Sequence, residues 1–173
     1  MLRRRKRRVG QQERVWFMSG TAANGFICFE DLSEGMSASF SRTVTESDIV
    51  LFAGVSGDMN PVHLDAEYAE KTVFKGRIAH GMLSAAFIST VLGTKLPGPG
   101  TVYLAQSLKF KAPVRIGDTV TATCEVVALD SEKKRATLRT VCTVAGKPVV
   151  EGEALVMVPS RVAALPKATA AAA

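Results

Sequence analysis

GMLSAAFISTVL, residues 81–92, decides how this chain folds. Polar residues are so few along it that a helix built on the segment is apolar on nearly every side. Such a helix belongs in an interior rather than on a surface. Gly93 is expected to end it, and LPGPG (96–100) adds a turn and a stop signal.

Beyond that point the hydrophobic period changes. Residues 101–112, 118–129, 135–145 and 148–158 each read as a strand, separated by the turn chemistry of PVRIGD, DSEKK and AGKP. In the second strand Val120, Ala122, Cys124, Val126 and Ala128 share one face, and Thr119, Thr121, Thr123 and Glu125 share the other. In the third, Ala136, Leu138 and Cys142 oppose Arg135, Thr137 and Arg139. Alternation with a period of two marks a half-buried antiparallel sheet whose apolar side faces a helix. Upstream, MSASFSRTV (36–44) reads as a first strand. Thr45 then offers an N-cap, with Asp48 three residues on as a capping-box variant, and Ile49–Val55 supplies a short apolar helix. GDMNP (57–61) is expected to be loop, and Asp65–Lys71 a short surface helix. One long buried helix, preceded by one strand and followed by four, specifies an α+β architecture. A curved antiparallel sheet wrapped around a long central helix is its simplest form. It leaves the far face of the sheet, or its edge, for dimerisation.

Composition sets the outer bounds. A chain of 173 residues, 47% hydrophobic and 22% charged, makes one soluble domain with a real core. Those values exclude disorder, collagen and coiled coil as the overall state. No apolar stretch reaches the ~18 residues of a membrane span. The reading places a flexible basic leader at 1–25, the domain at 26–158 and a flexible Ala-rich tail at 159–173. The formal charge of +6 resides in Arg3, Arg4, Arg5, Lys6, Arg7 and Arg8, and without those six the chain is neutral. Basicity is therefore a property of the leader, and with no aromatics among its arginines it does not specify nucleic acid as a partner. Residues 1–17 lack a secretory core, and Met18 is a second candidate start. Cys28, Cys124 and Cys142 show no CxxC and no metal spacing, which suits reduced thiols in the cytoplasm.

The chemistry concentrates in FAGVSGDMNPVHLDAEYA (52–69). Asp58 and His63 stand five positions apart with Pro61 between them. Because Pro61 prevents a regular helix through the segment, the two are expected together on a shaped loop. There they can hold one water and share acid–base work. The alternative is structural, with Asp58 capping a turn and His63 hydrogen-bonded at the surface. Ala79-His80-Gly81-Met82 then begins the apolar helix, whose N-terminus exposes unpaired N–H groups and a partial positive charge. Gly81 lets a carbonyl approach its N–H closely, or serves helix–sheet packing; His80 is assigned a structural part at the helix start.

These residues resemble a known family. Phe52, then Ser56 through His63 (SGDMNPVH), then Ala69 match the hydratase-2 signature of the MaoC-like, (R)-specific enoyl-CoA hydratases. The likeness continues through IAHGML (78–83), LPGPGTVYLAQSLKFKAPVRIGDTVTA (96–122) and EGEALV (151–156), and so spans about residues 36–158. It is similar to the short single-hotdog enzymes of polyhydroxyalkanoate synthesis. The resemblance implies a hotdog fold, a homodimer, and syn hydration of a trans-2-enoyl-CoA to the (R)-3-hydroxyacyl-CoA. It implies that Asp58 and His63 activate the water, and that the Gly81 N–H polarises the thioester carbonyl. Ser89 falls where the family has a serine supporting the pair, and Asn60 and Ser56 fall at loop-forming positions. It implies no metal and no cofactor beyond the coenzyme A of the substrate. Leu83, Ala86, Phe87 and Val102 are candidates for the acyl-pocket lining, with core packing as the alternative. A hotdog thioesterase, an acyl-carrier dehydratase and a non-catalytic acyl-CoA-binding module are the competing functions.

Overall fold

A computed structural model describes residues 27–161. A 3-10 turn at Phe29–Asp31 leads into strand β1 (Ser37–Thr43), followed by helices α1 (Glu46–Ser56), α2 (Pro61–Leu64), α3 (Ala66–Glu70) and α4 (Gly81–Thr94). Strands β2 (Val102–Phe110), β3 (Thr119–Asp130), β4 (Arg135–Val144) and β5 (Lys147–Met157) complete the order. The strands make one antiparallel sheet in the order β1-β3-β4-β5-β2. β3, β4 and β5 are successive hairpin neighbours, and β1 and β2 are left as the edges.

The α4 helix contacts all five strands. Leu83, Phe87, Ile88, Val91 and Leu92 are buried on it against Val120, Ala122, Cys124, Val126, Ala136, Leu138 and Cys142. Full burial of one such aliphatic side chain is worth roughly 1.5–3 kcal/mol, so this layer is the main source of stability. The α+β expectation of a sheet wrapped around one central helix is met.

Three local expectations are corrected. Gly93 does not end α4, which continues to Thr94 with Lys95 as its C-cap. The left-handed residue of that turn is Gly98 (φ 95°), whose N–H bonds the Leu92 carbonyl. In β3 the alternation breaks at a bulge between Val126 and Ala128. The extra residue turns Ala128 outward and lets Leu129 pack against the core instead. Pro61, expected in a loop, opens α2 at a position where its missing N–H costs nothing.

The capping box is as read. Thr45 N–H donates to Asp48 Oδ2 at 2.8 Å, and Asp48 N–H donates to Thr45 Oγ1 at 3.3 Å. After β5 the chain stays attached: Phe29 N–H bonds the Pro159 carbonyl at 2.7 Å, and Glu30 accepts from Ser160 and Arg161. These bonds, Ser160's first, hold the Glu30 carboxyl down at about 2. Of the expected leader 1–25 and tail 159–173, all but Pro159–Arg161 lies outside the described residues. No described helix is long and apolar enough to cross a membrane.

Candidate active site

Short polar residues build the site by folding the chain back on itself. Gly57 caps α1 at φ 76°, a left-handed conformation suited to glycine. Ser56 Oγ donates to the Phe52 carbonyl at 2.6 Å and accepts from Asp58 N–H at 3.2 Å. Asp58 Oδ1 accepts from Asn60 N–H at 3.2 Å, and Asn60 Oδ1 accepts from Val62 N–H at 3.2 Å, so two successive side-chain turns end in the cap of α2. Asp58 therefore stands on an exposed loop, while His63 stands on a helical turn rather than on the loop expected. Asn60 and Ser56 shape this loop.

His63 is buried, and its ring is fixed. Nδ1 lies 2.9 Å from the Ile78 carbonyl. A carbonyl only accepts, so Nδ1 carries the proton, and in the neutral ring Nε2 keeps the free lone pair. That is the tautomer a general base requires. The His63 carbonyl in turn accepts from Arg77 Nε at 2.6 Å, and Arg77 reaches both carboxylate oxygens of Glu46 at 3.1 and 2.7 Å.

His80 completes the cluster. It is 2% exposed, its Nε2–H donates to the Asp58 backbone carbonyl at 3.0 Å, and its ring centre lies 3.8 Å from that of His63 and 5.0 Å from that of Phe52. One side-chain donor atom from each of Asp58, His63 and His80 falls within 4.8 Å of the others. By composition this set could hold a divalent cation. The two imidazoles are stacked at a 32° tilt with ring centres 3.8 Å apart, however, and each already has one ring nitrogen against a backbone carbonyl. The arrangement favours proton chemistry.

A cavity of about 480 Å³ opens beside the cluster, lined by His63, Phe74, Ile78, Gly81, Phe110 and Val114 among others. Its walls are largely apolar, as small-ligand sites are. Gly81 is the first residue of α4, where helix geometry leaves its N–H without an intrahelical acceptor. The Phe110 ring covers it so closely that a Cβ there would sit 2.7 Å from Phe110 Cε1. Asp58, His63 and Gly81 thus occupy one region.

The other sequence candidates lie elsewhere. Leu83 and Phe87 are buried in the helix–sheet core, while Ala86 and Val102 are exposed, and none of the four lines this cavity. Ser89 is exposed on α4, two turns beyond Gly81, or about 12 Å along a helix rising ~1.5 Å per residue. Within one chain it does not support the Asp58–His63 pair. Sequence reasoning passed over Phe110, Arg77 and the contact of His80 with both site residues. His80 gave a signal beside Gly81, whereas Phe110 gave none.

Comparison with known proteins bears on this geometry. Residues 30–152 match the family described as MaoC like domain. An (R)-specific enoyl-CoA hydratase of Rhodospirillum rubrum is 69% identical over 133 residues, covering 77% of this chain and 92% of that protein. A 3-hydroxybutyryl-CoA dehydratase of Methylorubrum extorquens is 49% identical over 142 residues, covering 82% and 90%. Among solved structures, the (R)-hydratase from A. caviae involved in PHA biosynthesis superposes with a TM-score of 0.73 at 45% identity. It covers 75% of this chain and 99% of that one.

Proposed function

This chain belongs to the MaoC-like domain family, and from that premise we propose that it is an (R)-specific enoyl-CoA hydratase, a hydro-lyase acting on trans-2-enoyl-CoA thioesters. The observation that carries the reading is the fixed tautomer of His63, which leaves Nε2 with a free lone pair in a cluster shared with Asp58, beside a cavity that Gly81, the first residue of α4, also lines.

In this reading the Asp58 carboxylate and His63 Nε2 hold one water between them. His63 takes a proton as the water oxygen bonds C3 of the enoyl group. The C2 carbon gains a proton from the same pair, so both additions occur on one face. Negative charge gathers on the thioester oxygen meanwhile. The Gly81 N–H, backed by the partial positive charge of the α4 N-terminus, is placed to receive it. The reverse reaction is dehydration of the (R)-3-hydroxyacyl-CoA, so the hydratase and dehydratase names of the relatives describe two directions of one equilibrium.

In this reading the reaction uses no metal and no cofactor beyond the coenzyme A of the substrate, and enzyme treated with a chelator should keep its full rate. We place it in the cytoplasm as a homodimer. Among the described residues the outer edge of β2 has no strand partner and exposes Val102, Leu104 and Phe110, and such an edge calls for a partner. A mass of twice the chain in sedimentation supports the dimer, and a single-chain mass refutes it.

The deciding assay mixes purified protein with crotonyl-CoA and follows loss of the enoyl-thioester absorbance. The expected result is rapid loss giving the (R)-3-hydroxy product, absent in Asp58→Asn. Release of free thiol without hydration would convert the reading to a thioesterase.

A further inference from the structure

We propose that His80 is a positioning residue for the proposed hydration, acting through both Asp58 and His63; this deepens the hydratase reading and rests on it. A helix N-cap is ordinarily a short polar side chain that accepts a backbone N–H, and His80 makes no such bond. Its buried ring does something else. Nε2–H donates to the carbonyl of Asp58, twenty-two positions upstream, and so ties the loop that carries the carboxylate to the start of α4. The same ring is stacked on that of His63 at a 32° tilt with centres 3.8 Å apart, with Phe52 on the cluster as well.

The second nitrogen discriminates between a packing role and a polar one. His80 Nδ1 is buried and has no hydrogen-bond partner among the described residues. A phenylalanine would fill the place and stack on His63 without burying an unpaired nitrogen. Hence the imidazole is explained by the donor it offers to Asp58. That donor fixes the tautomer: with the proton on Nε2, the neutral ring leaves Nδ1 bare.

Stacking also has a consequence during turnover. His63 becomes positively charged only once it has taken the proton of the water. A neutral aromatic face at 3.8 Å attracts that cation, whereas it does little for the neutral ring before reaction. An interaction that strengthens on the way to the transition state raises kcat more than it alters KM. His80 thus combines two effects, the bond that places Asp58 and the face that supports His63.

The variants separate these effects. His80→Gln retains a donor near Nε2 without the ring, and His80→Phe retains the ring without the donor. Against crotonyl-CoA, His80→Ala is expected to lower kcat about 100-fold, the scale of a misplaced catalytic group. Each partial variant should recover part of that loss, and KM should move less than kcat in all three. Wild-type kcat in folded His80→Ala overturns the proposal, as does a loss confined to KM. Nitrogen-15 spectra of the wild-type imidazoles supply a measurement that requires neither turnover nor a variant. The expected pattern is a proton on Nδ1 of His63 and on Nε2 of His80, and a proton on Nδ1 alone of His80 overturns the assignment. If the wild type does not hydrate any enoyl-CoA, the hydratase reading fails by itself, while the spectra still decide whether His80 donates to Asp58.

Discussion

Arg77 donates its Nε–H to the backbone carbonyl of His63 at 2.6 Å, so the turn carrying the proposed base is gripped from outside by a side chain that also spans Glu46 on α1. The two halves of that clamp differ in worth. Glu46 is 55% exposed and its ion pair is screened by water, whereas the bond to His63 is half-buried and charge-assisted. Glu46→Gln is therefore expected to change stability by less than about 1 kcal/mol and turnover hardly at all. Arg77→Met should reduce kcat by roughly 10-fold, because small displacements of a catalytic group are costly. Steady-state rates beside thermal melts check the pair, and equal effects of the two substitutions would contradict it.

Direct removal of the chemistry should be severe and leave the fold intact. Asp58 is exposed, and Asp58→Asn keeps an oxygen to accept from Asn60 N–H, so the double turn survives. His63→Ala loses the bond to Ile78 along with the base. Each substitution should lower kcat about 10²–10⁴-fold, the range for a positioned acid or base. Asp58→Asn should keep the wild-type melting temperature, while His63→Ala should melt a little lower. Normal turnover in either variant would remove the pair from the reaction.

Two glycines distinguish a catalytic from an architectural requirement. At Gly81 an added Cβ meets the half-exposed Phe110 ring, which can swing away, so Gly81→Ala should fold. The new methyl then occupies the approach to the Gly81 N–H, and a loss of about 10²–10³ in kcat, the size of one oxyanion donor, is expected. Phe110→Ala added to it should not restore the rate. At Gly152, opposite Leu108 in the β2–β5 ladder, a Cβ would lie 1.8 Å from the Ser107 carbonyl oxygen, and backbone cannot move aside. Gly152→Ala should cost at least about 3 kcal/mol, an overpacking penalty at the upper end. Denaturant melts and rates measured together should show opposite patterns for the two variants.

Whatever depended on local period and local capping was legible before the structure. The alternation of Val120, Ala122, Cys124 and Val126, the all-round apolarity of α4 and the Thr45–Asp48 box each involve residues within a few positions of one another. What failed depended on partners distant in sequence. The β3 bulge that turns Ala128 outward is set by pairing with β4, and the continuation of α4 through Gly93 by packing beyond it. The residue types of the Asp58–Asn60–Pro61 turn punctuate and so suggest a loop, yet the same Asn and Pro are the natural start of a helical turn. Of the site, Asp58, His63 and Gly81 were readable as a motif. The stacking of His80 on His63 was not, since it depends on tertiary folding, nor was the ring of Phe110 over Gly81, since no spacing rule connects strand β2 to the start of α4.

The cysteines offer a test of the core that does not involve catalysis. Cys124 and Cys142 lie fully buried beneath α4, where burial pushes both thiols up to about 12, with Cys142 Sγ 3.4 Å from the Ser84 carbonyl. Cys28 is only half-buried. At pH 8 a thiol reagent should label Cys28 quickly and the other two only as the protein opens, since the thiolate is the reacting form. The sign of the pH effect follows. Above the ordinary thiol value of about 8.5 the unfolded chain releases these protons while the folded chain retains them, so folding stability should decline as pH rises from there toward 12. Melting temperatures of the wild type and of Cys124→Ala/Cys142→Ala across pH 8–11 measure this. The wild type should lose more stability over the range than the double variant, and parallel curves would mean that the two thiols are not sequestered by the sheet and α4.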